Sequence, residues 1–248
     1  MSGEKTAVVT GAGGGIGLAV VDRLVAEGVS VVAVDRDERG LAKAAERPGV
    51  TPRVADLGDR GTWPELVAEV DRVDYLVNAA GVVSVVPIPD ITVEEWDRVM
   101  RVNAEALFFL CQGFAERMES GAAIVNVSST AAKTGAVAEA AVYAASKAAV
   151  LSITRSFATY LAPRGVRVNA VCPGVIDTLM NDTVARELAA IRLDDPDRVR
   201  GARATSVPLG REGEPRECAA AIWFLLSDGA SYITGQNLNV SGGQVTWG

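Results

Sequence analysis

Tyr143 and Lys147 stand four residues apart in the run Y-A-A-S-K, a spacing that puts both side chains on one face of a helix. A fixed ammonium beside a phenol favours the phenolate, whereas a free tyrosine titrates near about 10, too high to exchange protons readily at neutral pH. The pair is therefore a candidate general acid and base. A second chemistry-bearing run lies near the start of the chain. The loop T-G-A-G-G-G-I-G, Thr10 to Gly17, follows a β-branched run and precedes an apolar helical pattern. In such a unit Gly11, Gly15, Ile16 and Gly17 let backbone N–H groups approach a pyrophosphate at the positive end of a helix. Asp35 closes the next β-branched run. A carboxylate there accepts bonds from adenosine ribose hydroxyls and repels a 2′-phosphate, which favours NAD over NADP. Arg36 follows at once and pulls toward NADP, but no basic residue within Gly11–Gly17 helps it.

Composition narrows the chemistry further. Histidine is absent from the chain, so proton transfer falls to Tyr, Lys, Asp, Glu or Cys, and no metal site is expected. Cys111, Cys172 and Cys218 are few and widely spaced, the usage of reduced core thiols. A net charge of −7 offers no basic face for nucleic acid. No apolar run approaches the roughly 20 residues of a membrane helix, and the opening M-S-G-E-K-T leads straight into a strand pattern. A cytoplasmic protein without nucleic-acid or membrane partners is expected.

These residues need a scaffold, and 248 residues with 49% hydrophobic content suffice for one buried α/β core. Short β-branched runs alternate with longer amphipathic stretches, the pattern of a parallel sheet with helices on both faces. Strands are predicted at Thr6–Thr10, Ser30–Val34, Thr51–Ala55, Tyr75–Asn78, Ala122–Val127, Arg167–Val171 and Leu238–Val240. Helices are predicted at Ile16–Glu27, Glu38–Glu46, Thr62–Asp71, Val93–Met118, Ala141–Leu161 and Pro215–Leu226. No linker or repeat divides the chain, so residues 1–248 read as one domain. The segment 177–211 is charged, contains prolines and lacks a strand pattern; it reads as a mobile flap or a pair of short helices over the site.

The order and spacing of the motifs resemble the short-chain dehydrogenase/reductases over essentially the whole chain. The resemblance is carried by the glycine loop, Asp56-Leu57, the N-A-A-G run Asn78–Gly81, Asn103, Ser128-Ser129, Tyr143-x-x-x-Lys147 and the P-G-V-I-D-T run Pro173–Thr178. It implies a single Rossmann-type, doubly wound α/β domain with about seven parallel strands. It also implies that Asn103, Ser129, Tyr143 and Lys147 form the catalytic set, with Ser128 and Thr130 as alternatives for the hydroxyl. Asp56 corresponds to the residue at the adenine ring, with Leu57 beside it, and Asn78 and Gly81 to the end of the fourth strand beside the cofactor. Pro173, Gly174, Ile176 and Thr178 correspond to the segment holding the nicotinamide carboxamide, and Lys147 to a ligand of the nicotinamide ribose. In such enzymes the tyrosine, as phenolate, takes the hydroxyl proton while hydride leaves the same carbon. The serine holds the substrate oxygen, and the asparagine holds a water that links the lysine to solvent.

The expected function is NAD-dependent hydride transfer between the cofactor and a secondary alcohol or ketone. Val82, Val83, Val85, Val137, Val142 and Met180 are the expected linings, pointing to a small apolar or alicyclic carbinol. The P-L-G-R and G-Q-N-L-N-V-S-G-G segments and the D-T-L-M run resemble enzymes of cyclic alcohols or dihydrodiols bearing a carboxyl or acyl group. They also resemble 3-oxoacyl-[acyl-carrier-protein] reductases, the alternative reading; a non-catalytic dinucleotide sensor is the alternative of another class. Arg186, Arg192, Arg198, Arg200 and Arg203 could grip a carboxylate, though the interleaved Asp and Glu favour a solvated, salt-bridged surface. Members of the family are usually tetramers or dimers. Helices Val93–Met118 and Ala141–Leu161, with Phe108, Phe109, Leu110, Ala144 and Ala148, carry apolar surface for a homotetramer, a dimer being the alternative.

Overall fold

Seven strands in which Val predominates lie parallel in the order β3-β2-β1-β4-β5-β6-β7. They are β1 Thr6–Thr10, β2 Ser30–Asp35, β3 Val50–Val54, β4 Tyr75–Asn78, β5 Ala123–Val127, β6 Arg167–Pro173 and β7 Asn237–Val240. The computed structural model describes residues 5–135 and 137–247; the first four residues of the opening run read above lie outside that range. Strands β4 and β5 are buried throughout, which is why apolar residues occupy both faces of each, with Asn78 and Asn126 as the exceptions. Pro52 falls in β3, an edge strand, where a missing N–H is tolerated. Strand β6 runs two residues further than the pattern suggested because Cys172 and Pro173 pair with Asn239 and Val240 of β7.

The helices are α1 Gly15–Ala26, α2 Glu38–Ala45, α3 Thr62–Ala68, α4 Val93–Met100, α5 Ala106–Ala115, α6 Ala131–Thr134, α7 Ala141–Leu161, α8 Leu179–Arg192, α9 Pro196–Thr205 and α10 Pro215–Leu226. Strand alternation sends Val8, Leu76 and Ile124 to a core shared with α3, α5 and α7, through Leu66, Phe114 and Leu161 among others. Ala7, Val77 and Val125 point the other way, onto Val20 and Leu24 of α1, Leu41 of α2 and Ile222 of α10. The three cysteines are buried and free. Among the described residues no helix is long and apolar enough to cross a membrane.

Three expectations need correction. The single helix at Val93–Met118 is two helices, α4 and α5, joined by a π-helical turn at Arg101–Glu105, and it ends at Ala115. Such turns insert an extra residue and re-aim side chains, here that of Asn103, into the interior. Helix α3 stops at Ala68, short of Asp71. The exposed seam assigned to α5 does not include Leu110, which is buried in the core, whereas Phe108 and Phe109 remain exposed.

The flap consists of α8 and α9. Its apolar underside, Ala185, Leu188, Ala189 and Val199, packs on Val85, which therefore anchors the flap and does not line the site. Arg200 ties the outside together by pairing with Asp177, Asp182 and Glu212. The chain crosses from β3 on one side of the sheet to β4 on the other, so the strand order reverses between β1 and β4. A crevice opens at the carboxyl ends of these strands.

Candidate active site

The crevice is a cavity of about 650 Å³. At its β1 end the glycine loop lies closer to its neighbours than side chains allow. A Cβ on Gly17 would stand 1.9 Å from the Gly11 carbonyl oxygen, and one on Gly11, whose φ is +69°, 2.7 Å from the Ala80 nitrogen. Helix α1 begins here with Gly14 as its cap, no side chain bonded to its first N–H groups and no acidic residue in its first turn. Its positive end is thus open to an anion. Asp35 closes the mouth of the loop, one carboxylate oxygen accepting from Gly13 N at 2.9 Å and the other from Asp37 N at 3.0 Å. A cradle of bare backbone, a helix N-terminus and a carboxylate at the next strand end fit a dinucleotide.

Sixteen expected site residues line this one cavity: Gly11, Gly15, Ile16, Gly17, Asp35, Arg36, Asp56, Leu57, Gly81, Ser129, Tyr143, Lys147, Pro173, Gly174, Ile176 and Thr178. Asn78 and Asn103 do not. Alternation along β4 turns Asn78 into the core, where its amide donates to Asn126 Oδ1 at 2.9 Å and to the Cys111 sulfur at 3.4 Å. Asn126 donates in turn to Thr154 Oγ1 at 3.0 Å. Asn78 is thus a node of an internal polar network behind the cavity. Asn103 sits behind the cavity wall, accepting from Val82 N at 2.8 Å and donating to the Val82 carbonyl and Ser146 Oγ, both at 2.9 Å. It still adjoins Lys147, since a Cβ on Gly81 would lie 3.3 Å from both Asn103 Oδ1 and Lys147 Nζ.

Helix α7 brings Tyr143 and Lys147 to the cavity on one face. Lys147 is 3% exposed, and its Nζ donates to the Val127 carbonyl at 2.8 Å at the end of β5. The same nitrogen lies 5.8 Å from the centre of the Tyr143 ring. The hydroxyl of Ser128 is occupied, donating to the Lys147 carbonyl at 2.8 Å. That of Ser129 accepts from Ala131 N at 3.1 Å and is hydrogen-bonded to Tyr143. Thr130 also lines the cavity.

The electrostatics differ from the sequence-based expectation. Burial pushes the Tyr143 phenol above its ordinary value, outweighing the lowering by the Ser129 bond and the charge of Arg203. Lys147 does not pull it below that value. Burial instead lowers Lys147 itself, to about 8, against a small opposing influence of Cys172. The two values are thereby driven apart, phenol up and ammonium down, because the desolvated pocket favours the neutral form of each group.

Val82, Val83, Val137 and Met180 line the cavity as expected, whereas Val142 is buried in the packing beneath α7. Asn181, Ser206 and Gln244 also line it and carried no signal in the sequence. The oxygen of Gln244 is buried with no partner among the described residues.

Comparison with known proteins agrees with this geometry. The family model described as Enoyl-(Acyl carrier protein) reductase matches residues 11–244. The 3-oxoacyl-[acyl-carrier-protein] reductase of Thermotoga maritima is 38% identical, over 97% of this chain and 98% of that protein. Cyclopentanol dehydrogenase of Comamonas sp. is 36% identical, over 97% of this chain and 96% of that protein. A variant of actinorhodin polyketide ketoreductase crystallised with NADPH superposes with a TM-score of 0.92 at 33% identity, covering 98% of each chain. Matched over nearly its whole length, with the glycine loop and the Tyr143–Lys147 pair facing one crevice, the chain belongs to the short-chain dehydrogenase/reductase family of NAD(P)-dependent oxidoreductases.

Proposed function

We propose that this oxidoreductase works with NAD and that Tyr143 is its acid and base, Ser129 its oxygen-holding group and Lys147 the cation beside them. The observation that carries the reading is the placement of Tyr143, bonded to Ser129, over a buried Lys147 in the cavity that also holds the bare glycine loop and Asp35. The loop and the α1 N-terminus would hold the pyrophosphate, Asp35 the adenosine ribose, and Pro173 to Thr178 the nicotinamide end. When bound, the cofactor supplies the hydride acceptor or donor. Tyr143 takes the proton from a secondary hydroxyl, or returns it to a ketone, while Ser129 donates to the substrate oxygen as charge develops on it. Lys147, protonated below its value of about 8, stands as a cation beside the phenol and can exchange a proton on the Asn103 side of the wall.

A small cyclic or acyl-bearing carbinol suits the apolar lining of Val82, Val83, Val137 and Met180. Likeness to the Thermotoga reductase supports a second reading, reduction of a 3-oxoacyl thioester, but a net charge of −7 disfavours docking of an acidic carrier. The exposed Phe108, Phe109 and Tyr160 support a homotetramer, with a dimer as the alternative.

The test is the rise of reduced-cofactor absorbance with NAD+ or NADP+ against cyclopentanol and related alcohols, and its fall with NADPH against acyl ketones. NAD should be favoured at least about tenfold. Tyr143→Phe should lower turnover by about 100- to 10,000-fold with cofactor affinity unchanged. Retention of a tenth of the wild-type rate would overturn the assignment.

A further inference from the structure

Of the arginines in the flap, four are engaged away from the cavity. Arg192 pairs with Glu139, Arg198 with Asp194, and Arg200 with Asp177, Asp182 and Glu212. Arg186 bonds to the Asp182 carbonyl and the Thr183 hydroxyl on its own helix.

Arg203 is different. It lines the main cavity alongside Tyr143, Met180 and Asn181, and it is close enough to the phenol for its charge to act there. Among the described residues it donates from one terminal nitrogen to Asn181 Oδ1 at 3.0 Å, its Nε is buried without a partner, and no carboxylate pairs with it. Glu212, the nearest acidic influence, has both oxygens taken by Arg200, and one of them also accepts from Asn181 Nδ2 at 2.9 Å. That last bond fixes the Asn181 amide with its oxygen toward Arg203. The guanidinium is thus fixed at the cavity by a neutral group, with no carboxylate bonded to it among the described residues. A guanidinium remains charged at any working pH, and its fork of N–H groups matches a planar carboxylate in two parallel bonds.

We propose that Arg203 is the anchor for an anionic substrate, a hydroxy acid or keto acid whose carboxylate pairs with the guanidinium while its carbinol oxygen meets Tyr143 and Ser129. The proposal rests on the oxidoreductase reading above and narrows it to carboxylated alcohols. Two fixed points, the carboxylate and the reacting oxygen, would set which face of the carbinol carbon is presented. The apolar side chains of Val137 and Met180 would cover the carbon frame between them.

The experiment uses the enzyme saturated with NADH and reads cofactor fluorescence during titration with benzoate and with its neutral isostere benzamide. Benzoate should bind at least about tenfold more tightly, the range of a charge-assisted pair. Arg203→Met should remove that advantage and leave benzamide and NADH affinities unchanged, which also shows that the variant is folded; Arg203→Lys should restore part of it. In parallel, oxidation of 3-hydroxycyclohexane-1-carboxylate and of its methyl ester is followed with NAD+. Arg203→Met should lower kcat/KM for the acid about 10- to 100-fold and for the ester less than threefold. Equal binding of benzoate and benzamide to the wild type overturns the proposal. So does an equal loss with acid and ester accompanied by a shifted pH profile, because Arg203 would then act on Tyr143. Tight benzoate binding without turnover of either alcohol leaves the anion site standing and overturns the reaction assigned to it.

Discussion

The two ends of the cavity are built by different means. At the cofactor end the structure depends on absent side chains: Gly17 against the Gly11 carbonyl, Gly11 against Ala80, and Gly40 of α2, where a Cβ would stand 2.2 Å from the Gly13 carbonyl oxygen. Among the described residues no ion pair holds that loop. At the flap end the structure depends on side chains. Arg200 is clasped by three carboxylates, and a small apolar patch seats α8 and α9 on Val85, while Leu179, Leu193 and Leu209 stay exposed. Backbone contacts of this closeness have no tolerance, whereas a layer held by surface charges can be loosened or retuned at modest cost. Cofactor affinity should therefore be brittle and substrate affinity adjustable.

The largest effect is expected at Gly17. Gly17→Ala forces a backbone shift and should weaken NAD binding at least about 100-fold and lower stability by about 2–4 kcal/mol, read by fluorescence titration and thermal unfolding. An affinity within threefold of wild type would break the comparison at its stronger end. At the flap, Arg200→Leu releases three carboxylates; it should raise KM about tenfold and cost about 1 kcal/mol, with the NAD dissociation constant within twofold. If NAD binding fell in step with KM, the two ends would not be separable.

Lys147 lies between the two ends and makes a pH-dependent contribution. Its value falls from 10.5 in the unfolded chain to about 8 in the fold, so below pH 8 the protein carries a buried charge at a cost. Between about 8 and 10.5 the unfolded chain binds more protons than the folded one, and that cost disappears as pH rises. Lys147→Met should therefore be inactive but more stable than the wild type at pH 7 by about 1–3 kcal/mol, the difference closing toward pH 10.5. Denaturant unfolding of the cofactor-free proteins at several pH values measures it; a pH-independent difference would show that burial does not lower the Lys147 value. The smallest effect belongs to Gly201, exposed in α9 with open space around it. Gly201→Ala should stabilise the protein by about 0.5–1 kcal/mol and leave kinetics unchanged, which sharpens the contrast with Gly17.

What the sequence determined by itself is whatever depends on neighbours along the chain. Periods of two and of about four residues marked β1, β2, β4, α7 and α10 to within a residue or two, because one face of each must meet a core. The glycine loop and the Tyr143–Lys147 spacing were legible for the same reason, since a strand, a turn and a helix suffice to present them. Only the tertiary structure decided the rest. Asn78 turns to Asn126 and Cys111 because of which face of β4 meets α5, and nothing within its own run reports that. The π-helical turn that aims Asn103 at Val82 and Ser146 is stabilised by groups distant in sequence. The ionisations of Tyr143 and Lys147 follow from burial, which no spacing contains, and Arg203 differs from the other flap arginines because the fold turns it into the cavity with Asn181 as its partner. Local interactions write the elements, but desolvation and pairing, which set the chemistry, arise between elements far apart in the chain.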